Sequence, residues 1–232
     1  MYSGPEGSMF VGHYAVGLAL KRVKPEISLG TFVLAAMFAD FLWALFLLMG
    51  IEHVQLKPGI GAENYFDPAN INIAWSHSLL MDAVWAAIFA AVYWLWRRDG
   101  VGASLLFGAV LSHWLLDFVA HRPVMPLAPG AGGHVGLGLW TSVPATLIVE
   151  GGFWLGAIFV YLHATHRRNR AGIYLFWCVA ALLTFLWYNN IAGPPPPNPR
   201  LAPLLSLILF SLTTAWAYWM NHLRPEVRLA VG

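Results

Sequence analysis

The chain has 232 residues, of which 59% are hydrophobic and only 10% charged, whereas a soluble domain carries about 25% charged residues. Most of its surface therefore cannot face water, and the composition describes a polytopic membrane protein with the lipid bilayer as its first partner. A formal charge of +2 without a basic stripe or zinc-finger spacing excludes a nucleic-acid binder, and the lone Cys178 excludes an intrachain disulfide.

Residues 1–8 lack the basic region of a signal peptide and read as a short leader or an expression scar, with Met9 as the natural start. About 20 apolar residues cross a bilayer. By that rule 27–50, 74–96, 101–120, 143–163, 171–188 and 201–222 are transmembrane helices. Segment 9–20 is shorter and rises only about 18 Å against a hydrocarbon core of about 30 Å. The expectation is an all-α membrane bundle of six or seven transmembrane helices, the first one short. It occupies 9–224 as a single domain and is followed by a cytoplasmic tail at 225–232.

Basic residues near span ends mark the cytoplasmic face. Lys21, Arg22, Lys24, Arg97, Arg98, Arg167, Arg168, Arg170, Arg224 and Arg228 fall on one side, and only Lys57, Arg122 and Arg200 on the other. This predicts a cytoplasmic C-terminus in the cell (inner) membrane, with loops 51–73, 121–142 and 189–200 outside. Trp94, Trp96, Trp140, Trp187, Trp216 and Trp219 sit near span ends, as interfacial aromatic belts do. The two long outer loops have the length of lids or binding loops, and 193–199 reads as a stiff polyproline spacer.

The chemistry concentrates in Ser112-His113-Trp114-Leu115-Leu116-Asp117-Phe118-Val119-Ala120-His121-Arg122. In a helix His113, Asp117 and His121 stand at i, i+4 and i+8 on one stripe. Such groups are costly in an apolar helix unless they meet a partner or a metal ion. Given the orientation, His13, Asp40, His77, Asp82, His113, Asp117 and Glu150 all fall in the outer half of their spans. Scattered structural polar residues would not share a layer; a common site open to the outside would. His121 reads equally as a third ligand of the stripe or as an interfacial histidine, Asp82 lies about 140° around the helix from His77, and His134 sits in the outer loop. His53, His163, His166 and His222 read as solvated.

The order of these groups resembles the YdjM-like membrane-bound metal-dependent hydrolases. The similarity rests on Gly12-His13, Ala39-Asp40, Ser76-His77-Ser78-Leu79-Leu80 and the His113 to Asp117 pair, over about the first 120 residues. The resemblance implies that His13, Asp40, His77, His113 and Asp117 form a metal site. The chain departs from the family pattern twice. Phe38-Ala39-Asp40-Phe41 stands where Pro-Asp-x-Asp is usual, and Ile73-Ala74-Trp75 where His-Arg-Gly is usual. A distant likeness of that family to zinc-dependent phospholipase C and single-strand nucleases suggests phosphoester chemistry.

The residue types themselves suit a divalent first-row ion, zinc foremost, as one to three ions. His121 joins the expected ligand set, Asp117 or Asp40 is placed to bridge two ions, and Glu150 and Asp117 are the expected catalytic groups, Glu150 as acceptor of a water proton. The expected activity is hydrolysis of an ester or phosphoester in a lipidic or amphipathic substrate, at a site facing the non-cytoplasmic side. Three other readings use the same groups. An ion- or proton-coupled transporter predicts acidic groups continuing inward. A haem or quinone protein would use His77 and His113 as axial ligands. A zinc amidase or esterase of the ceramidase type would draw on Ser76, Ser78 and Ser112.

Overall fold

The structure, a computed structural model, describes residues 10–54, 71–192 and 201–225. The expected leader, Lys57 with most of the 51–73 loop, the 193–199 spacer, Arg200 and the tail beyond Pro225 lie outside the described residues. The described residues are mostly helical. Its helices are α1 (Phe10–Val23), α2 (Leu29–Ala36), α3 (Phe38–Leu48), α4 (Ala74–His77), α5 (Leu79–Arg97), α6 (Gly100–Ala120), α7 (Val143–Ala164), α8 (Ala171–Ala192) and α9 (Ala202–Leu223). Two antiparallel ribbons complete it, β1 (His53–Val54) with β2 (Ile71–Asn72) and β3 (Met125–Pro126) with β4 (His134–Val135).

Local chemistry sets most boundaries. Ser28, Ser78, Asp99 and Ser142 occupy N-caps, each accepting a backbone N–H of the first turn that the helix itself cannot satisfy. Pro144 and Pro203 stand in the first turns of α7 and α9, where the missing N–H costs nothing. Five helices, α5 to α9, are long and apolar enough to cross a membrane, or six spans if α2 and α3 are taken together. On α5 the exposed Leu80, Val84, Ile88 and Val92 recur every four residues and form an apolar outward stripe.

Three expected segments differ in form. Segment 27–50 is a broken helix, bent by 57° between α2 and α3 at Met37. Neither Pro nor Gly stands at the break; a side chain from α6 takes up the carbonyl exposed there, as described below. Segment 74–96 is interrupted at Ser78, whose extended backbone ends α4 while its hydroxyl caps α5. The short first segment is α1, which packs against α7, α2, α6 and α8. Val11, Tyr14, Ala15 and Leu18 are all at most 1% exposed, so α1 is buried among other helices rather than exposed along one side. At Gly17 an added Cβ would stand 3.2 Å from the Val33 backbone, which is how closely α1 and α2 approach.

Trp140, Trp187 and Trp216, expected in belts, are buried in the main apolar core around α1. Their apolar area is better satisfied between helices than at an interface. Trp94, Trp96 and Trp219 are exposed.

Candidate metal centre

Four helices bring imidazoles and carboxylates to one point. His13 lies in the second turn of α1, Asp40 in the first turn of α3, His77 at the end of α4, and His113 and Asp117 in the last turns of α6. His121 follows as the C-cap of α6. On α1, α5 and α6 this end is the one opposite Lys24 and Asp99, which pair at 3.4 Å. His13, His113 and Asp117 form the floor, at most 1% exposed, and Asp40 and His77 the rim at 6 and 7%.

Asp117 is the hub. Its Oδ1 stands 3.3 Å from His13 Nε2, and its Oδ2 stands 3.4 Å from His113 Nε2 and 3.7 Å from His77 Nε2. Asp40 Oδ1 lies 3.5 Å from His77 Nε2 and 3.6 Å from His113 Nε2. These separations are longer than ordinary hydrogen bonds. Ligands about 2.0–2.1 Å from a tetrahedral zinc ion stand about 3.3 Å from one another, which is the spacing seen. Two groups have all their ligand atoms within 4.8 Å of one another: His13, His113 and Asp117, and Asp40, His77 and His113. His13 Nε2, His113 Nε2 and Asp117 Oδ1 are buried without a hydrogen-bond partner among the described residues. Orphaned polar atoms at such a spacing fit a cation, since leaving them unsatisfied costs about 1–3 kcal/mol each or more.

The groups behind the ring fix which nitrogens face inward. The helix break exposes the Ala36 carbonyl, and His113 Nδ1 lies 2.8 Å from it. A carbonyl only accepts, so Nδ1 carries the proton and the neutral ring presents a bare Nε2 to the centre. His77 Nδ1 lies 2.8 Å from Ser76 Oγ, and that hydroxyl donates to Glu52 Oε2 at 2.7 Å. Glu52 Oε1 accepts the backbone N–H groups of Trp75 at 2.9 Å and Ser76 at 2.7 Å. Burial raises the Glu52 carboxyl pKa, while His77 and the donors on Ser76 and Trp75 pull it back. His13 stacks on His113, ring centres 3.7 Å apart and 7° from parallel.

Glu150 stands behind His13. Its Oε1 accepts the Gly12 N–H at 3.1 Å and its Oε2 the Trp187 indole at 2.7 Å. A carboxylate there satisfies one of the orphan donors of the buried α1 and complements its dipole. His121 Nε2 comes no nearer than 3.9 Å to Asp117 Oδ1, and it joins neither three-residue group. Asp82 is fully buried near the site, and neither oxygen has a hydrogen-bond partner among the described residues. His53, His134, His163, His166 and His222 are exposed and outside the cluster.

Glu52 is the participant that sequence reasoning missed. An acid just past a span reads as an ordinary loop residue, and its contact with Ser76 is made across 24 positions. The only local hint was a serine on each side of His77.

The profile of the YdjM inner membrane proteins matches residues 8–192. The chain belongs to that family. The match to the YdjM family covers every helix that supplies a cluster residue, as well as Glu52 and Glu150. No curated protein and no solved structure matches the chain.

Proposed function

We propose that this YdjM-family protein is a membrane-embedded metal-dependent hydrolase that cleaves an ester or phosphoester of a lipidic or amphipathic substrate. The carrying observation is the pair of buried ligand groups that share His113, with the bare His113 Nε2 aimed between Asp40 and Asp117. Asp40, His77 and His113 make one group of three, and Asp117 Oδ2 stands beside it, 3.4 Å from His113 Nε2 and 3.7 Å from His77 Nε2. Asp117 also belongs with His13 and His113 to the other group, with His121 Nε2 3.9 Å beyond its Oδ1, so Asp117 is the carboxylate that would be shared if both groups held an ion. A divalent ion such as zinc, held there, supplies Lewis acidity toward the ester oxygen and a water acidified to a pKa of about 7.

The chain's own residues do the rest. Asp40 and His77, the more open of these ligands, face the incoming substrate. His113 and His13 stay fixed, one by the Ala36 carbonyl and the other by Gly12 and its bond to Glu150. With both oxygens so engaged, Glu150 acts in this reading as the anchor of His13, and the proton-accepting role passes to the carboxylates of the ring. The distribution of Lys and Arg residues supports a site in the outer half of the membrane. An apolar cluster of Phe32, Ala35, Ala86, Leu106, Ala109 and Val110 fills the space among α2, α5 and α6, which favours a hydrolase over a transporter that needs a polar path.

Elemental analysis of detergent-purified protein tests the proposal. The expected result is stoichiometric zinc or another first-row ion, with hydrolysis of an outer-leaflet phospholipid or a generic phosphodiester that is lost on chelation and in His113→Ala. Metal-free protein whose properties ignore both chelation and His113→Ala overturns it.

A further inference from the structure

Glu52 lies outside every helix yet is only 1% exposed. The β1–β2 ribbon explains how it gets there: His53 pairs with Asn72, which sets Glu52 beside Ile73 and the start of α4. Its carboxylate takes three donors from two adjacent residues, the N–H groups of Trp75 and Ser76 and the Ser76 hydroxyl. A serine hydroxyl has one proton. Here it goes to Glu52 at 2.7 Å, because the alternative acceptor, the Ile73 carbonyl, is 3.5 Å away. Ser76 Oγ therefore has only lone pairs to offer His77, and His77 Nδ1 must donate.

We propose that Glu52 is the positioning residue of the metal centre: acting through Ser76, it sets the proton of His77 on Nδ1 and so keeps Nε2 free for the ion. The inference rests on the metal-centre reading above and adds to it a control group carried by the outer loop. The direction of the chain, not just its presence, matters. In Glu52→Gln the amide oxygen still serves the two backbone N–H groups, so the amide nitrogen faces Ser76 as a donor. Ser76 then accepts from Gln and passes its own proton toward His77 Nδ1. The ring is driven to carry its proton on Nε2, the nitrogen the ion requires.

The test uses the full chain in detergent micelles with 15N-labelled histidine, the His77 signals being assigned by their loss in His77→Gln. In the metal-free wild type and in Ser76→Thr, which keeps the hydroxyl, Nδ1 carries a proton. In Glu52→Gln that nitrogen is expected to lose it, and in Ser76→Ala, which leaves the Glu52 bonds to both backbone N–H groups, the two nitrogens share it. Zinc alone, titrated against a competing chelator, is expected to bind about 10- to 100-fold more weakly to Glu52→Gln and at wild-type strength to Ser76→Thr.

A Glu52→Gln ring that keeps its Nδ1 proton overturns the proposal. Should that variant not fold, Ser76→Ala decides: ring and zinc affinity both unchanged from wild type overturn it equally. A wild type that shows the Nδ1 proton and its loss in Glu52→Gln, yet binds no zinc, supports the relay and overturns the hydrolase reading, so the two failures are distinct.

Discussion

His113 and His77 are held by the same kind of bond at the same 2.8 Å, but by different kinds of acceptor. Behind His113 is the main-chain carbonyl of Ala36, exposed by the 57° break between α2 and α3. Behind His77 is a side-chain chain, Ser76 to Glu52, delivered by a loop and a two-residue ribbon. The first support is fixed by the path of the backbone and cannot be removed by changing the residue that provides it. The second depends on two side chains and can be reversed by one. The floor of the site is therefore built as fold, and its rim as adjustable chemistry.

The largest expected effect lies at Asp117, where the two supports meet, since its oxygens face His13 and His121 on one side and His77 and His113 on the other. Asp117→Asn keeps the shape but is expected to bring bound zinc below detection by elemental analysis, with helicity unchanged. A variant that still holds a full complement of metal breaks the idea of a hub.

Next, His113→Ala and His77→Ala compared side by side test the two supports directly. Both are expected to lose zinc. Only His113→Ala also strips a buried carbonyl of its partner, which costs about 1–3 kcal/mol and lowers the thermal midpoint in detergent. Equal midpoints would show that the Ala36 contact contributes no stability.

Glu150→Gln is expected to be milder in zinc binding and clear in stability. An amide cannot accept from both Gly12 and Trp187 as a carboxylate does, so one buried donor is left short, at about 1–3 kcal/mol. The thermal midpoint should fall, with zinc affinity weakened less than in Glu52→Gln. The smallest effect is expected at the opposite end. Asp99 accepts from Gly102 and pairs with Lys24, and the Gly102 bond, ahead of Lys24, holds its carboxyl below the usual aspartate range. A depressed folded value means that its contribution is present above the ordinary carboxylate pKa of about 3.9 and fades as pH falls through the folded value. Asp99→Asn should thus change the thermal midpoint slightly near pH 7, less in high salt, and leave zinc binding untouched.

The bundle was largely legible because apolar length is a local property. Segments 101–120, 143–163, 171–188 and 201–222 all reappear as single long helices. The convergence of the cluster was legible for the same reason: isolated His and Asp in apolar runs are costly, and five of them at one depth point to a shared partner. His113, Asp117, Asp40, His77 and His13 do converge, whereas His121, equivalent to His113 by spacing alone, sits at the end of α6 and stays at the margin. Helical periodicity counts angles along an axis and cannot tell where the axis ends.

The sequence by itself determined that this chain builds a helical membrane bundle with a buried cluster of imidazoles and carboxylates near one end, because composition and the cost of polar groups in apolar helices act residue by residue. Only the tertiary structure decided that α1 is an interior helix, that segment 27–50 breaks at Met37 to give His113 its acceptor, and that Glu52 stands behind His77. Those are contacts across 77 and 24 positions, and a hydrogen bond between distant residues leaves no mark on the pattern of either one.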